Sequence, residues 1–291
     1  MSAKNWGLLL LLALLWGSSF FFYKILVATL PPVTVVLGRA GIAALALNLW
    51  LLAQGTRLPL GNGLWKRFLL LGMSNIVIPF VLIAWSETRI SSGMASILNA
   101  TTPIFMVVVA HFGTHDEKFS WAKMAGIGFG IVGTIVLVGP AALSGTSAVL
   151  GEIAVIIASA AYGFGGVYSR RFHDISPLAA ATGQVTGATV ILAPLSLLEQ
   201  PWTLALPGWE AWASLLIIAL VNTALAYVIF FGLVAKVGAI NVSLVTLLIP
   251  VIAVLLGAAF LGETVTLQTL AGMTVIVLGL AVIDGRLLKW K

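Results

Sequence analysis

Ser92, Ser96, Asn99 and Pro103 stand at i, i+4, i+7 and i+11, which puts them on one face of a helix. Hydroxyl and amide side chains on such a face hydrogen-bond either a polar guest or a neighbouring helix, and the proline frees a backbone carbonyl. The positions 147 residues further on, Ala239, Ser243, Thr246 and Pro250, make a second stripe of the same kind. Asn75 with Pro79, and Asn222 at the same offset from Asn75, extend the pattern. Trp16, Ser19 and Tyr23 share a third face, and Tyr162 and Gly166 a fourth. Aromatic faces there can stack on an apolar guest and attract an ammonium group, by about 0.5–2 kcal/mol. Two cations, Lys24 and Arg39, fall within apolar runs. Lys24 is placed either to snorkel to an interface or to face a site. Arg39 lies about two turns into its run, where it either ties helices together through carbonyls or offers a carboxylate its guanidinium. This is the chemistry of reversible binding.

Those faces need a lipid solvent. Of 291 residues, 60% are hydrophobic and 8% charged, against the roughly 25% charged residues of a soluble domain. Mean hydropathy is +1.13, which excludes both a soluble enzyme and a disordered chain. A hydrocarbon core of about 30 Å takes roughly 20 apolar residues per helix. Ten runs qualify: 6–27, 33–53, 66–86, 93–112, 121–138, 148–168, 177–198, 211–232, 239–260 and 267–284. Leu30-Pro31-Pro32, Gly61-Asn62-Gly63, Gly139-Pro140 and Ser176-Pro177 punctuate them. The predicted fold class is therefore an all-α polytopic membrane protein with ten transmembrane helices. The first run is too long for a signal-peptide core and shows no clear cleavage site, so it is read as a retained helix.

Alternate loops put Lys4, Arg57, Lys66, Arg67, Lys118, Lys123, Arg170, Arg171, Lys236, Arg286, Lys289 and Lys291 on one side and only Arg89 on the other. By the positive-inside rule both termini are expected in the cytoplasm. The same dispersal of basic residues, in no run longer than two, argues against a nucleic-acid partner.

The chain also resembles itself. Asn75 and Asn222, Ser96 and Ser243, and Pro103 and Pro250 stand 147 residues apart; Glu117 and Glu263, Gly126 and Gly272, and Gly133 and Gly279 stand 146 apart. The expected organisation is two five-helix repeats, residues 1–140 and 141–291. An odd number of spans per repeat makes the second copy enter from the opposite side, a construction used by many secondary transporters around a midplane site.

With these residues the sequence resembles the EamA type of the drug/metabolite transporter superfamily over essentially its full length. The resemblance rests on Leu15-Trp16-Gly17-Ser18-Ser19-Phe20, Gly38-Arg39-Ala40, Asn99-Ala100-Thr101-Thr102-Pro103, and Glu117 through Gly126 to Gly133, with Pro250, Leu261-Gly262-Glu263, Gly272 and Gly279 in the second half. Within that type the chain is similar to the YddG-like bacterial exporters of aromatic and other amino acids. Gly113 to Glu117 departs from the pattern, being longer and more polar than the second half's Leu-Gly-Glu turn. The resemblance implies a multi-pass inner-membrane exporter of amino acids or similar small metabolites, with helices 1–4 and 6–9 around a cavity and alternating access about it. Drugs, purines and other neutral metabolites, moved with proton coupling, are the alternative cargo.

The substrate-binding residues expected are Trp16, Ser19, Tyr23, Lys24, Arg39, Asn75, Pro79, Ser96, Asn99, Tyr162, Asn222, Ser243 and Thr246. No cofactor, metal or catalytic residue is expected. Asp116, Glu117, Asp174, Glu199, Glu210 and Glu263 fall in loops, and Glu87, Glu152 and Asp284 near helix ends. With no carboxylate deep in a span, passage without an obligatory proton is expected. There is no cysteine and no phosphate-binding Gly-rich loop. His111 and His115, beside Asp116 and Glu117, imitate a metal site but lack a fixed fourth ligand. The glycines of helices 5 and 10 suit close packing, inside a monomer or across a homodimer.

Overall fold

The computed structural model describes residues 3–61, 63–113, 121–138, 147–204, 206–237, 242 and 245–284. These residues form ten principal helical segments, and among them there is no strand. The segments are α1 (Ala3–Val27), α2 (Pro32–Ala53), α3 (Leu64–Ser86), α4 (Ser92–Gly113), α5 (Trp121–Val138), α6 (Ser147–Ser169), α7 (Pro177–Ser196), α8 (Trp209–Val237), α9 (Val245–Phe260) and α10 (Leu267–Asp284). Seven of them, α1 to α4 and α6 to α8, are long and apolar enough to cross a membrane. In α9 and α10 the apolar stretches are shorter, Leu248–Phe260 and Leu267–Gly279.

Local chemistry sets the helix starts. Ser91 and Ser176 accept hydrogen bonds from Met94 N and Ala179 N, at 3.1 and 3.2 Å, as N-caps of α4 and α7. Pro32 and Pro177 open α2 and α7 where no amide donor is needed. Gly262, at φ +66°, turns the chain sharply after α9 and folds Glu263 back toward α4.

The helices pack chiefly as α5 on α10, α1 on α9, α4 on α6, α2 on α7, α3 on α6 and α7, and α8 on α1 and α2. The α5–α10 seam explains the glycines. A Cβ at Gly133 would lie 2.7 Å from Ile276 Cγ1 and 3.0 Å from Gly272 O, and one at Gly279 would lie 2.8 Å from Gly126 O. Gly128, on the same helix, meets open space. Gly133→Leu is expected to cost about 1–3 kcal/mol by overpacking this seam, whereas Gly128→Ala leaves stability unchanged; melting in detergent separates the two.

Candidate functional site

Helix α3 widens into a π turn at Met73–Val77 and α8 into another at Leu220–Leu225. Their first residues are 147 apart, so the irregularity recurs at the repeat offset. A π turn shifts the hydrogen-bond ladder by one residue and exposes backbone polarity at a chosen place. Each carries one of the paired asparagines. Asn75 donates from Nδ2 to Gln184 Oε1 at 3.1 Å, and its carbonyl accepts from the Tyr227 hydroxyl at 3.2 Å. Asn222 donates to Ser18 Oγ at 3.0 Å, while its carbonyl accepts from Arg39 Nη2 at 3.4 Å.

Helix α4 breaks at Ala100 and Thr101, just before Pro103. Side-chain hydroxyls take up the loosened carbonyls: Thr101 donates to Leu98 O at 2.7 Å and Thr102 to Asn99 O at 2.8 Å. In α9 the matching Pro250 sits inside a continuous helix.

Arg39 is 2% exposed. Its Nε donates to Thr223 Oγ1 at 2.6 Å and its Nη2 reaches Ser19 Oγ at 3.4 Å. The guanidinium carbon lies 3.9 Å from the Phe80 ring centroid and 5.0 Å from that of Tyr23. Among the described residues no carboxylate pairs with it. A cation buried in a lipid-embedded bundle without an anion is expensive, and aromatic faces offset only part of the cost. Tyr23, whose ring this guanidinium faces, is itself buried.

These groups surround a cavity of about 120 Å³. Of the residues expected from the sequence, Trp16, Ser19, Tyr23, Arg39, Asn75, Asn99, Tyr162 and Thr246 line it, with Pro103 and Gly166. Pro79, Ser96 and Asn222 do not. Ser96 donates to Gly93 O at 2.7 Å within its own helix, and Asn222 stands behind the wall, bonded to Ser18 and Arg39. Lys24 is also off the cavity: Nζ donates to the carbonyls of Glu87 and Ile90, at 2.6 and 2.8 Å, closing the end of α3. Ser243 lies outside the described residues, as do His115, Asp116 and Glu117. Sequence reasoning missed Phe20, Phe80, Ile83, Thr102, Met106, Tyr227, Phe230, Val245 and Ile249. Tyr227 and Phe230 stand one helical turn apart and both pack on Trp16, with centroids at 5.8 and 5.5 Å; their spacing on the Asn222 helix was the available signal.

Three glycines of α6 let this wall close. A Cβ at Gly163 would lie 2.7 Å from Phe105 Cβ; one at Gly166 would strike Met106 Cε, and one at Gly165 would fall on Asn75 Oδ1.

The sequence pattern of the EamA-like transporter family matches twice, over residues 5–139 and 149–284. The chain is 29% identical over 265 residues to the uncharacterized inner membrane transporter YedA of Escherichia coli K12, covering 89% of this chain and 84% of that one. It is 28% identical to a probable amino-acid metabolite efflux pump of Salmonella typhimurium, covering 96% and 94%. It is 27% identical to a probable terminal-alkyne amino-acid exporter of Streptantibioticus cattleyicolor, covering 99% and 95%. A protein of known crystal structure superposes over the whole of both chains with TM-score 0.73 at 19% identity, and so shares the fold. The chain is a multi-pass membrane transporter and not an enzyme, and it belongs to the EamA-like transporter family of the drug/metabolite transporter superfamily.

Proposed function

We propose that this protein exports amino acids with aromatic or other apolar side chains, or similar small carboxylates, across the inner membrane by alternating access. The observation that carries the reading is Arg39, a buried cation with no carboxylate partner among the described residues, set in a cavity among whose described lining residues seven are aromatic. A carboxylate is the complementary charge, and charge-assisted hydrogen bonds of this kind contribute about 1.5–3 kcal/mol. Trp16, Tyr162, Tyr227 and Phe230 offer an apolar body its stacking surface. The names of the Salmonella and Streptantibioticus relatives, both of amino-acid export, point the same way.

The transport cycle follows from two halves, 1–140 and 141–291, each of five spans and inserted in opposite senses. The double family match, the recurring π turns and the helix pairs support this division. Exchanging the halves turns the α1–α9 pair into α6–α4, and the α3–α6 pair into α8–α1, while α5–α10 and α2–α7 map onto themselves. Two such halves exchange conformations around one site at nearly equal energy, giving inward-open and outward-open states. The distribution of basic residues supports ten crossings with both termini cytoplasmic. The α5–α10 glycine seam is occupied within the chain, which supports a monomer.

Counterflow into proteoliposomes tests the cargo class. Unlabelled phenylalanine inside is expected to accelerate entry of labelled phenylalanine several-fold, and a similar carboxylate is expected to compete. Phenethylamine, with the ring but no carboxylate, is expected not to. Competition by phenethylamine equal to that of phenylalanine would remove Arg39 from the reading, and flux without counterflow would make the protein a channel. Flux is expected to persist without a pH gradient.

A further inference from the structure

The chain holds a second buried polar cluster, one helical turn beyond the cavity-lining Ile83, at the end of the bundle where α1 finishes and α4 begins. Glu87, in the turn after α3, is 0% exposed, and among the described residues neither of its carboxylate oxygens has a hydrogen-bond partner. Lys24, from the last turn of α1, donates to the main-chain carbonyls of Glu87 and Ile90. No ion pair joins Lys24 to a carboxylate among the described residues. Glu263 arrives from the other half, in the turn between α9 and α10. It accepts from Ser92 N at 2.7 Å, Ser92 Oγ at 2.9 Å and Gly93 N at 3.1 Å, capping α4 across the boundary between the halves.

The two carboxylates are therefore in different situations. Glu263 has three donors and a helix N-terminus to hold its charge. Glu87 has none, and burial pushes its carboxyl well above the usual carboxylate range; Lys24 opposes that rise and Glu263 adds to it. Two other charged groups lie near the turn. Arg89 stacks on Trp85 and donates to Trp85 O and Thr88 Oγ1. Glu152 of α6 is itself buried, with its Oε2 unpartnered among the described residues, and a Cβ on its neighbour Gly151 would lie 3.2 Å from Arg89 Cβ and 3.3 Å from Ile90 Cγ2.

We propose that Glu87 is a proton-binding site that latches this end of the transporter: the carboxyl takes up one proton when the end closes over it and releases it when the end opens. Closure brings Glu263 onto α4 and seals Glu87 from water, so an ionised Glu87 would be enclosed without a donor and beside a second anion. Opening hydrates the carboxyl and returns it to its ordinary range, about 4.3. The closed state is thus fully favoured below that value and is lost as pH rises through the raised one. Because the proton enters and leaves at the same face, the latch tunes the gate without carrying charge through the membrane. It is compatible with transport that needs no proton gradient.

The test rests on the orientation proposed above, which makes this end extracellular, and it needs no cargo. The chain has no cysteine, so single cysteines report directly. Ile83→Cys lines the buried cavity below Glu87, and Thr29→Cys is exposed at the same end. The ratio of their labelling by an impermeant thiol reagent, added outside intact cells, cancels thiol ionisation. It is expected to rise about fivefold between roughly pH 6 and pH 8. In the Glu87→Gln background the ratio is expected to stay low and flat. Glu263→Gln weakens the cap, which raises the ratio at low pH, and removes the neighbouring anion, which makes an ionised Glu87 less costly to enclose at high pH, so the rise is expected to shrink. A Glu87→Gln ratio that rises as the parent's does, or a parent ratio that is flat, overturns the latch. Labelling of Thr29→Cys only from the cytoplasmic side would overturn the orientation instead.

Discussion

Arg39→Gln is expected to slow transport of a carboxylate cargo by about ten- to a hundredfold, the loss of one charge-assisted hydrogen bond in a dry site, while leaving the melting temperature unchanged or raised. The two directions are what separate an anion site from a structural tie. In the closed bundle the guanidinium is almost fully buried and has no carboxylate partner among the described residues, so its ionic charge is a cost to the empty protein. A glutamine keeps the reach to Thr223 Oγ1, which also donates to Ile218 O at 2.7 Å, and removes the charge. If Arg39 served only to join α2 to α8 through Thr223 and the Asn222 carbonyl, its loss would lower the melting temperature and slow every cargo alike. Arg39→Lys sharpens the distinction. It retains the charge and loses the planar fork that meets Thr223 and Ser19 together, so transport is expected between parent and glutamine variant. Measuring counterflow and melting on the same preparations decides the matter.

The residues that were legible in the sequence are those whose polarity is out of place in lipid. Arg39, Asn75 and Asn99 stand out against an apolar background, and the cavity contains all three. Seven of the ten expected spans were legible for the same reason, since twenty apolar residues bounded by Pro or Gly have few other readings. What stayed hidden depends on neighbours. Nothing in the composition of Met73–Val77 distinguishes a π turn from ordinary helix, and only the recurrence at Leu220–Leu225 marks it. Phe80, Tyr227 and Phe230 face the cavity and Phe112 faces outward, yet an aromatic ring suits lipid, core and binding site equally. Lys24 could have reached inward or to the interface, and the carbonyls of Glu87 and Ile90 that hold it belong to a turn 63 and 66 residues away. Glu87 was expected near a helix end, and it is there, but its complete burial is a property of the packed bundle that its position in the sequence does not show.

Gly165→Val is expected to abolish most transport without preventing insertion, because the space it needs is the space in which Asn75 is held. A Cβ at Gly165 would coincide with Asn75 Oδ1 and lie 2.6 Å from its Cγ and 3.0 Å from Ser74 Oγ. The amide cannot swing away freely: Nδ2 is bonded to the buried Gln184, and the carbonyl of the same residue receives the Tyr227 hydroxyl. Displacing Asn75 therefore disturbs both contacts and unseats a ring that packs on Trp16. Overpacking of this kind costs about 1–3 kcal/mol, within what a membrane-embedded bundle tolerates, whereas an ångström of misplacement at a site costs about a hundredfold in rate. Gly165→Ala is expected to show the smaller version of the same defect, and Asn75→Gly alone a partial loss through the missing amide. Combined, Gly165→Ala and Asn75→Gly exchange volume across one contact, so transport is expected to exceed that of Gly165→Ala alone. If the double variant is simply as impaired as the product of the two single losses, α6 does not act on the site through Asn75. The glycine would then serve only the packing of α6 against α3, and the defect would follow melting temperature and not cargo.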